Sequence, residues 1–189
     1  ACFAQGEALA GTAQSLKKRR DPSLWNSAEE KFIVALSFDP NRCQTYLHLG
    51  HIHMEKARCL PLSMAEQQFA QAEAMFHKAV RLCPTLADAY CGWGQALCEL
   101  GKTKGEENSI SFFKQAIEKF NTALHYDPGM VAAYCGWGDT LFVLASQTAG
   151  DKTVETLNSA IDIYKGALAM GNDDSEIYCL LGLALLELS

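Results

Sequence analysis

Several features that mark particular protein classes are scarce or missing in this 189-residue sequence. No apolar run approaches the roughly 18 residues that a membrane-spanning helix needs, and the nearest is only Ile177–Leu186. The motifs G-x-x-x-x-G-K-[ST], H-E-x-x-H and G-x-S-x-G do not occur either. We therefore expect no membrane span, no catalytic site and no cofactor.

Positive charge is also scarce, since the formal net charge at pH 7 is −6. The imbalance is uneven along the chain. Residues 1–60 hold eight Lys or Arg against six Asp or Glu, a net of +2, while residues 61–189 hold eight against sixteen, a net of −8. The net charge argues against nucleic-acid binding, and the chain has one mildly basic end and one clearly acidic end.

Cysteine is frequent, with eight residues, but no C-x-x-C pair and no N-x-[ST] glycosylation site occurs. A chain of this length can build an apolar core without disulfides. We therefore expect an intracellular reducing compartment, most simply the cytoplasm, with the nucleus or an organelle as alternatives.

A strict internal repeat is the main signal in the sequence. Four tyrosines recur every 44 residues, at Tyr46, Tyr90, Tyr134 and Tyr178, and a glycine follows each by four residues, at Gly50, Gly94, Gly138 and Gly182. A further step of 44 back from Gly50 reaches Gly6. Such a period predicts repeated helical hairpins.

A second pattern keeps the same period. Ala28, Phe32, Ala35 and Pro40 recur as Ala72, Phe76, Ala79 and Pro84, then as Ala116, Phe120, Ala123 and Pro128, and finally as Ala160, Tyr164, Ala167 and Asn172. Spacings of four and three place the alanines and the ring on one helical face. The proline ends each helix before the next one begins.

These motifs resemble the tetratricopeptide repeat, although the unit is ten residues longer than that family's 34. The resemblance implies an all-α, right-handed superhelical solenoid of antiparallel helix hairpins over residues 1–189. We expect repeats at about 1–42, 43–86, 87–130 and 131–174, and a fifth leading helix at 175–189. Predicted helices are 1–17, 21–38, 43–59, 63–82, 87–102, 108–126, 131–147, 151–169 and 175–189, with Asp21, Ser63 and Asp151 as N-terminal caps.

The resemblance also implies that the first helix of every hairpin lines a concave groove. The candidate partner-binding residues are then His48, His51, Glu55, Asp88, Cys91, Gln95, Glu99, Cys135, Asp139 and Phe142. This lining contains no Lys or Arg, which argues against the clamp that some relatives use for acidic tails. It suits a peptide or helix that is basic or amphipathic.

Several residues in these helices have two interpretations. His48 and His51 could share a metal, but nothing completes a tetrahedral site, so we expect none. The register-matched Cys91, Cys135 and Cys179 should lie about 10 Å apart, too far for disulfides. Gly92 and Gly136 indicate a close approach, either by an adjacent helix or by a bound peptide. The adjoining Trp93 and Trp137 are expected in the core. Lys17–Arg20 is either a solvated tip or a contact for acidic groups.

The sequence thus predicts a protein–protein interaction scaffold or assembly module. One alternative is an organelle protein-import receptor for basic amphipathic segments, because Gly92–Leu97 resembles the plant mitochondrial presequence receptor. Another is a structural subunit held through hairpin tips and ends. Tyr178, Leu183 and Leu186 are candidate end contacts, since the last helix is apolar all round. We expect that the chain continues beyond Ser189 in a longer protein, or else self-associates there.

Overall fold

Nine helices make up the part of the chain that the computed structural model describes, which is residues 2–15, 22–104, 106–170 and 175–188. They are α1 (Cys2–Ser15), α2 (Pro22–Phe38), α3 (Cys43–Arg58), α4 (Leu62–Leu82), α5 (Ala87–Thr103), α6 (Glu106–Tyr126), α7 (Val131–Ala145), α8 (Asp151–Ala169) and α9 (Ser175–Glu187). Every bound lies within two residues of its prediction. None of these helices is long and apolar enough to cross a bilayer.

The chain divides into two compact units, residues 1–96 and 97–189, with the boundary inside α5. In the first unit α1 packs on α2 and α3 packs on α4. In the second unit α7 packs on α8. Helix α6 contacts α7, and helix α9 contacts α8. The expected all-α arrangement of successive helix hairpins is confirmed.

The repeated alanines and rings form the core of both units. Ala72, Phe76 and Ala79 are completely buried in α4. The equivalent Ala160, Tyr164 and Ala167 of α8 are buried too, and Tyr164 is only 1% exposed. The alanines allow two helices to approach, and the ring fills the space between them.

Two of the expected helix caps are wrong. Helix α4 begins at Leu62 after Pro61, whose carbonyl accepts from the backbone N–H groups of residues 64 and 65, so Ser63 lies inside the first turn. Helix α8 is preceded by Gly150, whose φ of 64° only glycine adopts readily. Asp151 is therefore the first helical residue and stabilises the helix through its charge. The third expected cap, Asp21, and the basic run 17–20 lie outside the described residues.

The turns between hairpins are closed in two different ways. In the first and third hairpins the Asp-Pro turn is held by a carboxylate, since Asp39 accepts from the N–H of Asn41 and Asp127 from that of Gly129. The second hairpin has Cys83 at the equivalent position. Its sulfur is bonded to that of Cys43, the first residue of α3, with the two Cα atoms 6.1 Å apart.

This disulfide corrects the cysteine interpretation. Cys2, Cys59, Cys91, Cys98, Cys135 and Cys179 are free thiols, but the other two cysteines are bonded. Disulfides persist in oxidising compartments, so the cysteines no longer support a reducing one. The expectation that a chain of this length needs no disulfide did not consider which cysteines meet in the fold. A single hairpin brings together two cysteines that are 40 residues apart in sequence.

Candidate functional site

A cleft in the second unit brings polar and apolar side chains together. It has a volume of about 240 Å³ and lies among the end of α5 and helices α7, α8 and α9. Its polar groups are Lys102, Asp139 and Tyr164, and its apolar walls are Phe142, Val143, Leu180 and Leu183. We call it the α7–α9 cleft. The mixture suits an amphipathic segment that buries an apolar side chain beside a charge.

The polar groups of this cleft are coupled to one another. Tyr164 donates its hydroxyl to Oδ1 of Asp139 over 2.9 Å, and Nζ of Lys102 lies 2.9 Å from Oε1 of Glu99. Burial raises the pKa of Tyr164, and the nearby Asp139 raises it further, so the phenol remains a donor. Burial opposes the charge of Lys102, but Cys98, Glu99 and Asp139 outweigh it and raise the pKa of the ammonium group. The cleft lining itself has one cation, Lys102, and one carboxylate, Asp139. Glu99, which pairs with Lys102 beside the cleft, brings the net charge of the group to −1.

The structure differs from the expected lining at one residue. The lining was expected to lack Lys and Arg, yet Lys102 lines the same cleft as Asp139 and Phe142. Asp139, expected to line the groove and to meet a basic partner, is half-buried and already accepts a hydrogen bond from Tyr164. The spacing of residues along α5 could have indicated Lys102, because it lies three and four residues beyond Glu99 and Cys98 on the same helical face.

In the first unit, acidic and imidazole groups form a second cluster, which we call the imidazole surface. His48 of α3 pairs with Glu7 of α1, with Nε2 and Oε1 3.3 Å apart, and its ring stacks on Phe32 at a centroid distance of 5.2 Å. His51 is exposed, lies edge-on to a core phenylalanine and is within electrostatic reach of Asp88. The described residues offer no group of three His, Cys, Asp or Glu that could hold a metal ion.

The charges of the imidazole surface depend on its packing. Burial lowers the pKa of His48, and Glu7 opposes this shift without cancelling it. His48 is therefore mainly neutral at pH 7. Glu55, another expected lining residue, forms an ion pair with Arg58 on its own helix.

His53, on the same helix, belongs to the core. It is 8% exposed, and its Nδ1 lies 3.0 Å from Oε1 of Gln68. Glu29 lies near its other ring nitrogen and pairs with Lys56. The network joins α2, α3 and α4 and is separate from the imidazole surface.

The close approach predicted at Gly92 and Gly136 is made by an adjacent helix, through an aromatic side chain of the helix that precedes each glycine. A Cβ atom at Gly92 would lie 2.5 Å from the ring of Phe76, and one at Gly136 would lie 2.6 Å from the ring of Phe120. A core ring thus occupies the space of each missing side chain. The predicted core role of Trp93 is confirmed, because it packs on the core of the first unit and its Nε1 donates to Glu73 over 3.4 Å.

The remaining predicted residues differ in accessibility. Cys91 is buried, Gln95 and Cys135 are half-buried, and Asp88 is exposed. Trp137 packs on the core of the second unit, as expected. The end residues are exposed as well: Tyr178, Leu183 and Leu186 are 53%, 52% and 70% exposed.

Comparison with solved structures identifies the architecture. The chain is similar to TTC0263, described as a thermophilic TPR protein of Thermus thermophilus, with a TM-score of 0.74 and 16% identity. The match covers 99% of this chain and 83% of that one. The fold is the tetratricopeptide fold. The chain is also similar to the MamA protein, over 97% of this chain and 80% of that one, with a TM-score of 0.63 and 18% identity. No protein-family model and no curated protein sequence matches the chain.

Proposed function

We propose that this tetratricopeptide-fold chain is a non-catalytic interaction module that holds a basic amphipathic segment of a partner protein in the α7–α9 cleft. The observation that carries the proposal is that Asp139, Lys102 and four apolar side chains line one cleft of about 240 Å³. Phe142 and Leu183 would receive an apolar side chain. The surplus carboxylate would face a Lys or Arg of the partner.

The imidazole surface supports the same type of partner. It carries the carboxylates of Glu7, Glu55 and Asp88, against which the nearby arginines are Arg58, paired with Glu55, and Arg42, which lies over the ring of Phe3. A protein-import receptor for basic amphipathic helices is a narrower version of this function. It requires the same chemistry, so it is included in the proposal as one class of partner.

A structural-subunit role is a second candidate, favoured by the exposed residues of α9. Tyr178, Leu183 and Leu186 form an accessible apolar surface that a large assembly could cover. Such a contact would be apolar and insensitive to salt, whereas binding in the cleft should weaken as ionic strength rises.

Two designed peptides test the proposal. Each has 20 residues and the same leucine stripe at helical spacing, with lysine on the polar face of one and glutamate on the other. We expect the chain to bind the lysine peptide and not the glutamate peptide, and binding to weaken between 50 and 500 mM salt. Fluorescence anisotropy of labelled peptides measures both. Equal affinity for the two peptides would contradict the proposal, and so would the absence of binding by either peptide.

A matched pair of variants assigns the binding to the cleft. Asp139→Asn removes the charge but keeps an oxygen acceptor for Tyr164, so the fold is preserved better than with a lysine substitution. We expect the lysine peptide to bind about fivefold more weakly, which corresponds to about 1 kcal/mol for a partly screened charge pair. The control is Asp162→Asn, since Asp162 is exposed on α8. Equal losses in both variants would mean that only the overall charge matters.

A further inference from the structure

Two consecutive first helices carry the same ion pair near their C-terminal ends. In α5, Oε1 of Glu99 lies 2.9 Å from Nζ of Lys102, which is three residues further along the helix. The equivalent residues of α3, 44 positions earlier, are Glu55 and Arg58, and they form an ion pair as well. A cation in the last turn is favoured by the helix dipole, and a glutamate three residues before it holds it in place. The repeat therefore places a paired cation at this position in both helices.

Helix α7 departs from this pattern. The residues equivalent to Glu99 and Lys102 are Val143 and Ser146, and α7 itself contains no Lys or Arg. Asp139 of α7 nevertheless shares the α7–α9 cleft with a cation, because Lys102 of the preceding first helix lines the same cleft. The cation of one repeat thus balances the carboxylate of the next.

Lys102 is charged and accessible in this position. Burial disfavours the ammonium group, but Cys98, Glu99 and Asp139 outweigh burial and raise the pKa of Lys102. Its side chain is 38% exposed, so a molecule that enters the cleft can reach it. A partner segment in the cleft therefore meets an ammonium group beside the two carboxylates.

The charge balance determines how many basic residues the cleft can hold. Glu99, Lys102 and Asp139 together have a net charge of −1, so one Lys or Arg of a partner neutralises the group. Besides Asp139, the described lining of the cleft offers no carboxylate. A second basic residue would therefore lie near Lys102, and like charges at such short range repel one another. Without Lys102, the same two carboxylates could pair with two basic residues.

We propose that Lys102 is a specificity-determining residue of the α7–α9 cleft, and that it limits the cleft to segments that place a single basic residue beside the bound apolar side chain. The inference rests on the proposed function, because it concerns the partner held in that same cleft. It narrows the partner to amphipathic segments in which the polar residues next to this basic residue are neutral.

Two further peptides of 20 residues test this limit. Both have the leucine stripe of the lysine peptide and glutamine on the polar face. One contains a single lysine near its middle, and the other contains two lysines four residues apart. Fluorescence anisotropy should show that the second lysine changes the affinity for the parent chain by less than about twofold and raises the affinity for Lys102→Met about fivefold. Equal gains for the two proteins would overturn the proposal.

Three more variants separate the ammonium group of Lys102 from other effects of the substitution. Lys114→Met makes the same change in net charge at an exposed position of α6 and should behave like the parent chain. Lys102→Arg keeps the charge and should also behave like the parent. Lys102→Gln removes the charge but keeps a polar side chain, and it should behave like Lys102→Met. A gain from the second lysine in Lys114→Met or Lys102→Arg, or no gain in Lys102→Gln, would overturn the proposal.

The proposed function and this inference fail in different ways. If the one-lysine peptide does not bind the parent chain, or binds Asp139→Asn equally well, the cleft is not the site and both are overturned. If Asp139→Asn weakens binding but the second lysine gives the same gain in the parent chain and in Lys102→Met, only the inference is overturned. Weaker binding of the one-lysine peptide to Lys102→Met would also overturn it, since Lys102 would then attract the partner.

Discussion

The disulfide between Cys43 and Cys83 should contribute a large share of the stability of the first unit. It closes a loop with a sequence separation of 40 residues. The chain-entropy relation for such a loop gives an entropy loss of about 13 cal/mol/K in the unfolded state, or about 4 kcal/mol at 25 °C. This is a substantial fraction of the roughly 5–15 kcal/mol that stabilises most domains.

Urea unfolding followed by circular dichroism, with and without a phosphine reductant, measures this contribution. We expect the reductant to lower the free energy of unfolding by about 2–4 kcal/mol, because engineered and native bridges often give less than the entropic value. Cys43→Ala combined with Cys83→Ala should show the same loss and no further response to reductant. Cys59→Ala is the matched control, because Cys59 is a half-buried free thiol, and it should keep the full response.

Thiol counting provides an independent measurement. Alkylation of the unfolded chain without reductant should label the six free cysteines, and prior reduction should raise the number to eight. Eight labels without reductant, or a reductant effect below about 0.5 kcal/mol, would refute both the bond and the reasoning from loop length.

Two other predictions concern the first unit. Gly92→Ala should lower the free energy of unfolding by about 1–3 kcal/mol, because its Cβ would meet the ring of Phe76 at 2.5 Å. Gly11→Ala, where none of the described atoms lies within 4 Å of the new Cβ, should leave that free energy unchanged or raise it by up to about 1 kcal/mol. Equal urea midpoints for the two variants would contradict this expectation. Because the folded-state pKa of His48 is lowered from 6.5, the unfolded chain binds the proton first, so stability should fall as pH drops below about 6.5 and level off below the folded pKa. Urea midpoints from pH 8 to pH 5 measure how steeply stability depends on pH. The dependence should become steeper in Glu7→Gln and shallower in His48→Gln. Parallel curves for the parent chain and both variants would show that His48 is not the source of the dependence.

The sequence was sufficient to predict the helices because each one carries its own periodic signal. The glycine in the first helix and the alanines and ring in the second recur at fixed offsets, and a proline or asparagine follows. These signals are local or lie within one hairpin. The expected core positions at Phe76 and Tyr164 are buried for the same reason.

The candidate sites were less predictable because they depend on which side chains meet. The disulfide joins Cys43 to Cys83, and neither residue belongs to the register-matched cysteines that the repeat made conspicuous. Lys102 was missed because the inferred lining ended one turn too early on α5. The ring contact at Gly92 requires knowledge of where Phe76 points, and sequence spacing alone does not supply it.

The close contact between a core ring and a glycine also has an evolutionary consequence. Phe76 is held between Gly50 and Gly92, which belong to consecutive first helices. A change at any one of the three positions is penalised unless another changes with it, so single substitutions are poor routes to new packing. Duplication or loss of a complete 44-residue segment keeps every ring opposite a glycine. The gene should therefore vary in its number of repeats more readily than in the residues that join them.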